Sequence, residues 1–370
     1  MTKSSWRKAS ALKSVHSPLP ADGLVGADTL LPHRGQAVSL WLDHLASTTV
    51  TVSIVICTRN RPDHLRECLE HVSALTPPAD EVIVVDNSGG DEETEYLARV
   101  FGARYVLERT PGLSRARNRG LAESHCDIVA YLDDDCIPDS RWLDHLLRPF
   151  ADERVAAVAG DIIRFTDKNA RLQEAYREFE QMRYLNRETP CWFEIASFGG
   201  VGSGGNMAFR KRSCTGSALF DERLGRGAPF RIAEENCAFA SLLADGYSTV
   251  RTPAARVYHP AKPRDLEQEA TSTIAYWLLL FTKFPANRPD LLFFLLRRAM
   301  RRRLAWRLNT QNVAGIVSSG WRVKLKAIVY GVALFFRARR FHAERESNVQ
   351  IPTLSIISRR RTQSRSVAIP

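Results

Sequence analysis

Two hydrophobic rhythms alternate along the first half of the chain. VSIVIC (52–57), EVIVVD (81–86), DIVAYLD (127–133) and VAAVAG (155–160) are short, almost unbroken apolar runs rich in β-branched residues. The stretches 61–74, 92–101, 113–124 and 140–151 between them read as helices. Continuous apolar strands separated by helices predict an α/β fold with a mostly parallel central sheet covered on both faces. Residues 1–50 carry neither rhythm and read as an N-terminal extension. Beyond Pro260 the runs ATSTIAYWLLLF (270–281), LLFFLLRRAMRRRLAWRL (291–308) and AIVYGVALFF (327–336) predict a helical region over 263–341. None of them holds the ~20 apolar residues that a membrane-spanning helix needs.

The polar residues that end the strands are the first candidates for chemistry. Parallel sheets bind ligands outside the carboxyl ends of their strands. Thr58 and Arg59 follow the first run, Asp86 and Asn87 the second, and Asp133, Asp134 and Asp135 the third. Adjacent carboxylates repel, and Asp is a poor strand former. A divalent cation removes the repulsion, and Mg²⁺ or Mn²⁺ takes hard oxygen ligands of this kind. A solvated acidic turn capping the helix near Ser140 is the plainer alternative. The company of two other polar strand ends favours the metal.

Composition narrows the class. The 370 residues carry seven cysteines, an odd number without a CxxC pair, so neither a disulfide framework nor a zinc site is indicated. A reducing, cytoplasmic compartment fits best, and the basic N-terminus lacks the apolar core of a signal peptide. The formal charge of +11 is unevenly placed. From Arg288 to Pro370 there are 18 Lys and Arg against 3 Asp and Glu, while the rest of the chain is net −4.

VSIVICTRNRP, EVIVVDNSGG, GLSRARNRGLAES and YLDDDCIP, followed by GSGGNMAFRK, FDERLG and AEENCAFASLLADGY, resemble family 2 glycosyltransferases in order and spacing. The resemblance runs from about Val52 to Pro260. It implies a GT-A (Rossmann-like) domain over 51–262, in which a nucleotide-binding half and an acceptor-binding half share one sheet. It also implies transfer of a sugar from a nucleotide-sugar with inversion. Carried over residue by residue, Thr58, Arg59 and Asp86 hold the nucleoside, and Arg117 reaches the nucleotide. Arg115 and Arg119 share the other face of that helix and read as solvated. Asp133 and Asp135 form the DxD motif, with Asp135 the metal ligand and Asp133 or Asp134 on the ribose or a metal-bound water.

Glu234-Glu235 stands where the family usually has Glu-Asp, which makes Glu235 the general base and Glu234 its neighbour. Two acids at a helix N-terminus would explain the charge alone. Cys237 replaces a further acid of the family. His259, in VYHP, falls near the diphosphate or metal, with a structural histidine as the even alternative. Gly204, Gly205, Asn206 and Trp192 border the acceptor, unless the glycines form only a turn and the tryptophan belongs to the core.

The family's processive synthases carry a QxxRW motif and spanning helices. Neither is found here, so a single transfer is expected, from a UDP-sugar with GDP and dTDP open. The acceptor would be a glycan or lipid-linked hydroxyl. Arg297, Arg298, Arg301 and Arg302 fall on one side of a helix and Leu295, Ala299 and Trp306 elsewhere. That suits a helix lying on an anionic membrane, or one packed on the domain with a solvated basic face. A lipid-linked acceptor favours the first and places the protein on the inner face of the cell membrane. Arg359–Arg361 predict a basic disordered tail over 342–370. No aromatic-basic module is present, so nucleic acid is not an expected partner. A nucleotidyltransferase of related fold would need a glycine-rich loop after the first strand, and TRNRP has none. A non-catalytic relative would not need both acid clusters.

Overall fold

The computed structural model describes residues 50–165, 181–214, 218–261, 265–300 and 321–348. The alternation runs β1 (Val52–Thr58), α1 (Pro62–Ser73), β2 (Glu81–Asp86), α2 (Glu92–Val100), β3 (Arg104–Leu107), α3 (Leu113–Glu123) and β4 (Ile128–Asp133). It continues with β5 (Ile137–Pro138), α4 (Trp142–Leu147), β6 (Val155–Phe165), β7 (Arg183–Leu185), α5 (Trp192–Ser197), β8 (Asn206–Arg210), α6 (Glu234–Ala244) and β9 (Ser248–Pro260). The helices α7 (Leu266–Lys283), α8 (Arg288–Met300) and α9 (Trp321–Asn348) follow. Local chemistry sets the starts. Pro62 opens α1, and the carboxylates of Asp91 and Asp265 cap α2 and α7 by accepting from Thr94 N and Gln268 N.

The strands form one sheet in the order β3-β2-β1-β4-β8-β6-β9-β5, with β7 paired to β9. The first four are parallel, as are β6 and β9, while β8 runs antiparallel between β4 and β6. Side chains alternate faces with a period of two. Val55, Val85, Val129 and Tyr131 join one buried cluster with α3, α6 and α7. Ile54, Ile56, Val84 and Leu132 join the other with α1, α2 and α4. Both faces are buried, so the strands carry no polar alternation. In register Thr58 lies beside Asp86, and Cys57 beside Asp133, so three strand ends stand level at one edge.

The antiparallel β8 and the long β9 were not expected from the sequence, nor was the four-residue edge strand β3. The helix α9 continues to Asn348, so residues 342–348 of the expected tail are helical. Residues 1–49 and 349–370, including Arg359–Arg361, lie outside the described residues. So do the side chains of Arg297 and Arg298 and all of Arg301, Arg302 and Trp306. No described helix is long and apolar enough to cross a membrane.

Candidate active site

The chain turns sharply at the end of β4, where Cys136 N donates to Asp133 O at 3.0 Å. That turn fans the three carboxylates apart. Asp134 points inward: its Oδ2 accepts from Thr58 Oγ1 at 2.8 Å, and its Oδ1 lies 2.7 Å from Arg61 Nη2. Asp135 pairs through Oδ2 with Arg61 Nη1 at 2.9 Å and places Oδ1 3.2 Å from His259 Nε2. Asp133 turns the other way and meets Arg117 Nη2 at 3.1 Å. Burial pushes the Asp134 carboxyl up to about 7, against the pull of Arg61 and with the help of Asp135.

Asp133, Asp135, Cys136 and His259 bring ligand atoms within 4.8 Å of one another. The His259 ring shows how this group fits a cation. Its Nδ1 faces the Pro260 carbonyl at 2.6 Å, an oxygen that only accepts, so Nδ1 carries the proton. Nε2 then turns toward a carboxylate oxygen, an arrangement that calls for a second proton or a metal ion between them. Burial raises the Cys136 thiol well above its ordinary range, which leaves oxygen and imidazole as the donors. Two carboxylates and one imidazole suit Mn²⁺ or Mg²⁺ better than a thiolate-seeking metal.

Arg117 joins this cluster to the second pair of acids. It is 2% exposed and bonds Asp133, Glu234 Oε1 at 2.8 Å and Gly204 O at 2.9 Å. Burial opposes its charge, but Glu234 and Asp133 outweigh burial and hold it protonated. Its position is set three residues later. A side chain at Gly120 would lie 2.4 Å from Val55 Cγ1, so only glycine lets α3 rest this close to β1. Arg117 shares that inward face and reaches the strand ends. Arg119 is exposed and pairs with Glu123 at 2.8 Å, whereas Arg115 is not solvated: it is 18% exposed and pairs with Glu222 at 2.6 Å.

Glu234 and Glu235 open α6 behind Ala233, whose φ of 67° is unusual for a residue with a side chain. Such left-handed geometry concentrates at functional sites. Glu234 is committed to Arg117. Burial and the charge of Glu234 raise the pKa of Glu235, with Arg117 opposing. A strongly perturbed carboxyl of this kind marks a candidate functional group.

The glycosyl transferase family 2 profile matches residues 53–215. That segment belongs to glycosyl transferase family 2. The chain is similar to glycosyltransferase AglE of Haloferax volcanii, 32% identical over 148 residues, which are 38% of this chain and 48% of AglE. It is similar to the probable glycosyltransferase YdaM of Bacillus subtilis, 26% identical over 308 residues, covering 77% of this chain and 61% of YdaM. The chain thus spans about half to under two thirds of the length of these relatives. Among solved structures it is similar to the mannosyltransferase PcManGT from Pyrobaculum calidifontis in complex with GDP-Man and Mn²⁺. That match has 16% identity, a TM-score of 0.48, and covers 84% of this chain and 92% of that one.

The family 2 segment ends before Glu234, Glu235 and His259, which β9 and α6 bring to its acidic edge. A cleft of about 230 Å³ lies along that edge, lined by Thr58, Arg59, Arg61, Asn87, Asp133, Asp134, Arg226 and Gly227 among others. Asp86 is fully buried, and its two oxygens accept from Ser88 N, Ser88 Oγ, Asp91 N and Tyr105 Oη. Those donors outweigh burial and lower its pKa.

The expected acceptor border needs correction at Asn206. Asn206 is fully buried; it accepts from Trp142 Nε1 and donates to Asp161 O and Ala255 O, so it binds strands together rather than facing the cleft. Trp192 packs edge-on against Phe193 at the margin of the core. Gly204 and Gly205 do reach the site, against Arg117 and Asp133. Sequence reasoning passed over Arg61, the counter-ion of two of the three acids. Its signal was the second arginine of TRNRP, two residues past Arg59. Asn87 was noted only as a strand end. It donates to Glu108 O and Thr110 O and accepts from Gly112 N, tying β2 to the start of α3.

Proposed function

We propose that the chain is a metal-dependent, inverting glycosyltransferase that moves one sugar from a nucleotide-sugar, a UDP-sugar first, to a glycan or lipid-linked hydroxyl. The observation that carries this reading is Arg117, a buried cation bonded at once to Asp133 and Glu234. It ties Asp133, one of the possible metal ligands, to Glu234, the neighbour of Glu235. Asp133, Asp135 and His259 would hold Mg²⁺ or Mn²⁺. Such an ion, when bound, offsets the charge that gathers on a leaving diphosphate. Arg61 and Arg117 add fixed positive charge at the same edge. Thr58, Arg59 and Asp86 would receive the nucleoside, Asp86 exchanging one of its four donors for the base. Glu235 would take the proton from the acceptor hydroxyl as its oxygen attacks the anomeric carbon. Attack from the face opposite the leaving group gives inversion without a covalent enzyme intermediate. Gly204 and Gly205, packed against Arg117 and Asp133, would border the acceptor side.

A nucleotidyltransferase is disfavoured because the loop after β1 lacks the glycines that cradle a triphosphate. The test is thermal unfolding with UDP-, GDP- and dTDP-sugars, with and without Mn²⁺. One nucleotide-sugar is expected to raise the midpoint only when Mn²⁺ is present. Glu235→Gln should keep that rise and lose transfer. If no nucleotide-sugar moves the midpoint, the proposal fails.

A further inference from the structure

The helix α9 is apolar on two opposite faces. One is accounted for: Ala327, Gly331, Phe335 and Ala338 are buried at helical spacing. A side chain at Gly331 would lie 2.6 Å from Ile274 Cβ of α7, so the two helices touch backbone to side chain there. Lys326 Nζ lies 3.7 Å from Glu267 Oε1 and ties the same pair of helices. Among the described residues nothing buries the other face. Leu325, Ile328, Val329, Val332 and Phe336 recur at three- and four-residue spacing and are 36% to 58% exposed. Single exposed apolar residues are ordinary; a stripe of five along one helix marks an interaction surface.

We infer that this outward stripe of α9 docks on an anionic lipid bilayer. The charge around it selects that occupant. Lys326, Arg337 and Arg339 are exposed beside the stripe, and the span 325–339 holds no acid. Tyr330, 59% exposed, adds an aromatic of the kind that settles at the headgroup level. A second copy of the chain would press the rim residues Arg337 and Arg339 against like charge, Lys326 being already paired with Glu267. An anionic headgroup layer complements both the rim and the stripe. The stripe is about 17 Å long at helical rise, suited to lying in the interface and too short to cross it. This contact stands apart from the transfer reaction, since docking needs neither donor nor metal.

The experiment is flotation of the full chain with vesicles of phosphatidylcholine alone or mixed equally with phosphatidylglycerol, at about 0.1 M salt. Binding to the mixed vesicles should be at least ~10-fold tighter than to the neutral ones. Val329→Glu with Phe336→Glu should weaken it about 10-fold or more, with the unfolding midpoint unchanged. Arg337→Glu with Arg339→Glu should abolish the lipid preference. Should the glutamate pair misfold, Val329→Ser with Phe336→Ser supplies the same readout. Two results overturn the inference. One is vesicle binding that is absent or equal in all variants. The other is a dimer in light scattering that the Val329/Phe336 variant dissociates while vesicle binding stays the same.

Discussion

Two acids at opposite edges of the sheet, Glu81 at the amino edge and Asp134 at the carboxyl edge, are held in opposite ways. At the amino edge Glu81 begins β2. It accepts from Ser53 Oγ at 2.6 Å, Arg104 Nη2 at 2.8 Å and His125 N at 3.1 Å. Partial burial works against its charge, but those donors win, and its pKa falls to about 2. At the carboxyl edge three acids share Arg61, Arg117, His259 and the hydroxyl of Thr58. There burial wins, and Asp134 rises to about 7. The sheet supplies enough donors where an acid only stabilises. It leaves Asp134, between the possible metal ligands Asp133 and Asp135, short of positive charge. Conflict of this local kind is what separates a site from a scaffold.

The sharpest break in the comparison is Asp135→Ala. It should lower transfer at least ~10³-fold, about 4 kcal/mol of barrier, and remove any Mn²⁺-dependent rise in unfolding midpoint. The metal-free midpoint should hardly move, because the variant also relieves repulsion from Asp133 and Asp134. A large drop in metal-free stability would make Asp135 a scaffold residue instead. Arg117→Met should do the reverse at the same edge. It leaves Asp133 and Glu234 without their buried partner, and the expected loss is about 3 kcal/mol in chemical denaturation. Retention of full stability would mean that Arg117 does not hold the two acid clusters together.

Asp134→Asn probes the conflict itself. The folded pKa of Asp134, about 7, lies above its ordinary 3.8, so its contribution is fully present below about pH 4 and is lost as pH rises towards 7. In EDTA the variant should therefore be more stable than the parent near pH 7, by about 2 kcal/mol, and equal to it near pH 4. A pH-independent difference would place the conflict elsewhere.

Much of this was legible in the sequence. Strands β1, β2 and β4 announce themselves because both of their faces are buried, and the acids that end them need only that assignment to meet. Asp133–Asp135 and Glu234-Glu235 were visible as charge in improbable places. Three things were not visible. β3 has four residues, mostly half-buried, too few for a period to show. β9 mixes buried and exposed positions along thirteen residues and shifts register against β6, so no single period describes it. Arg61 and Asn206 were misjudged because a polar residue's partner is a fact of three dimensions. The same arginine reads as solvated or as a counter-ion, and the same asparagine as a ligand or as a strand tie.

The smallest effect is also the cleanest control. Glu81→Gln keeps the size of the side chain and loses its charge. The folded pKa of Glu81, about 2, lies below the ordinary 4.5, so its stabilisation is fully present above about pH 4.5 and is lost as pH falls through 2. The shift alone would correspond to about 3 kcal/mol, but Arg104 is 34% exposed and the pair is screened, so about 1 kcal/mol is expected. Urea midpoints at pH 7 should show Glu81→Gln less stable, with the gap closing between pH 4.5 and 2. The Asp134→Asn gap opens with rising pH and has the opposite sign. If the two differences had the same sign at pH 7, the contrast between the two acids would not be electrostatic, and the case for a cation at Asp133–Asp135 would lose its physical basis.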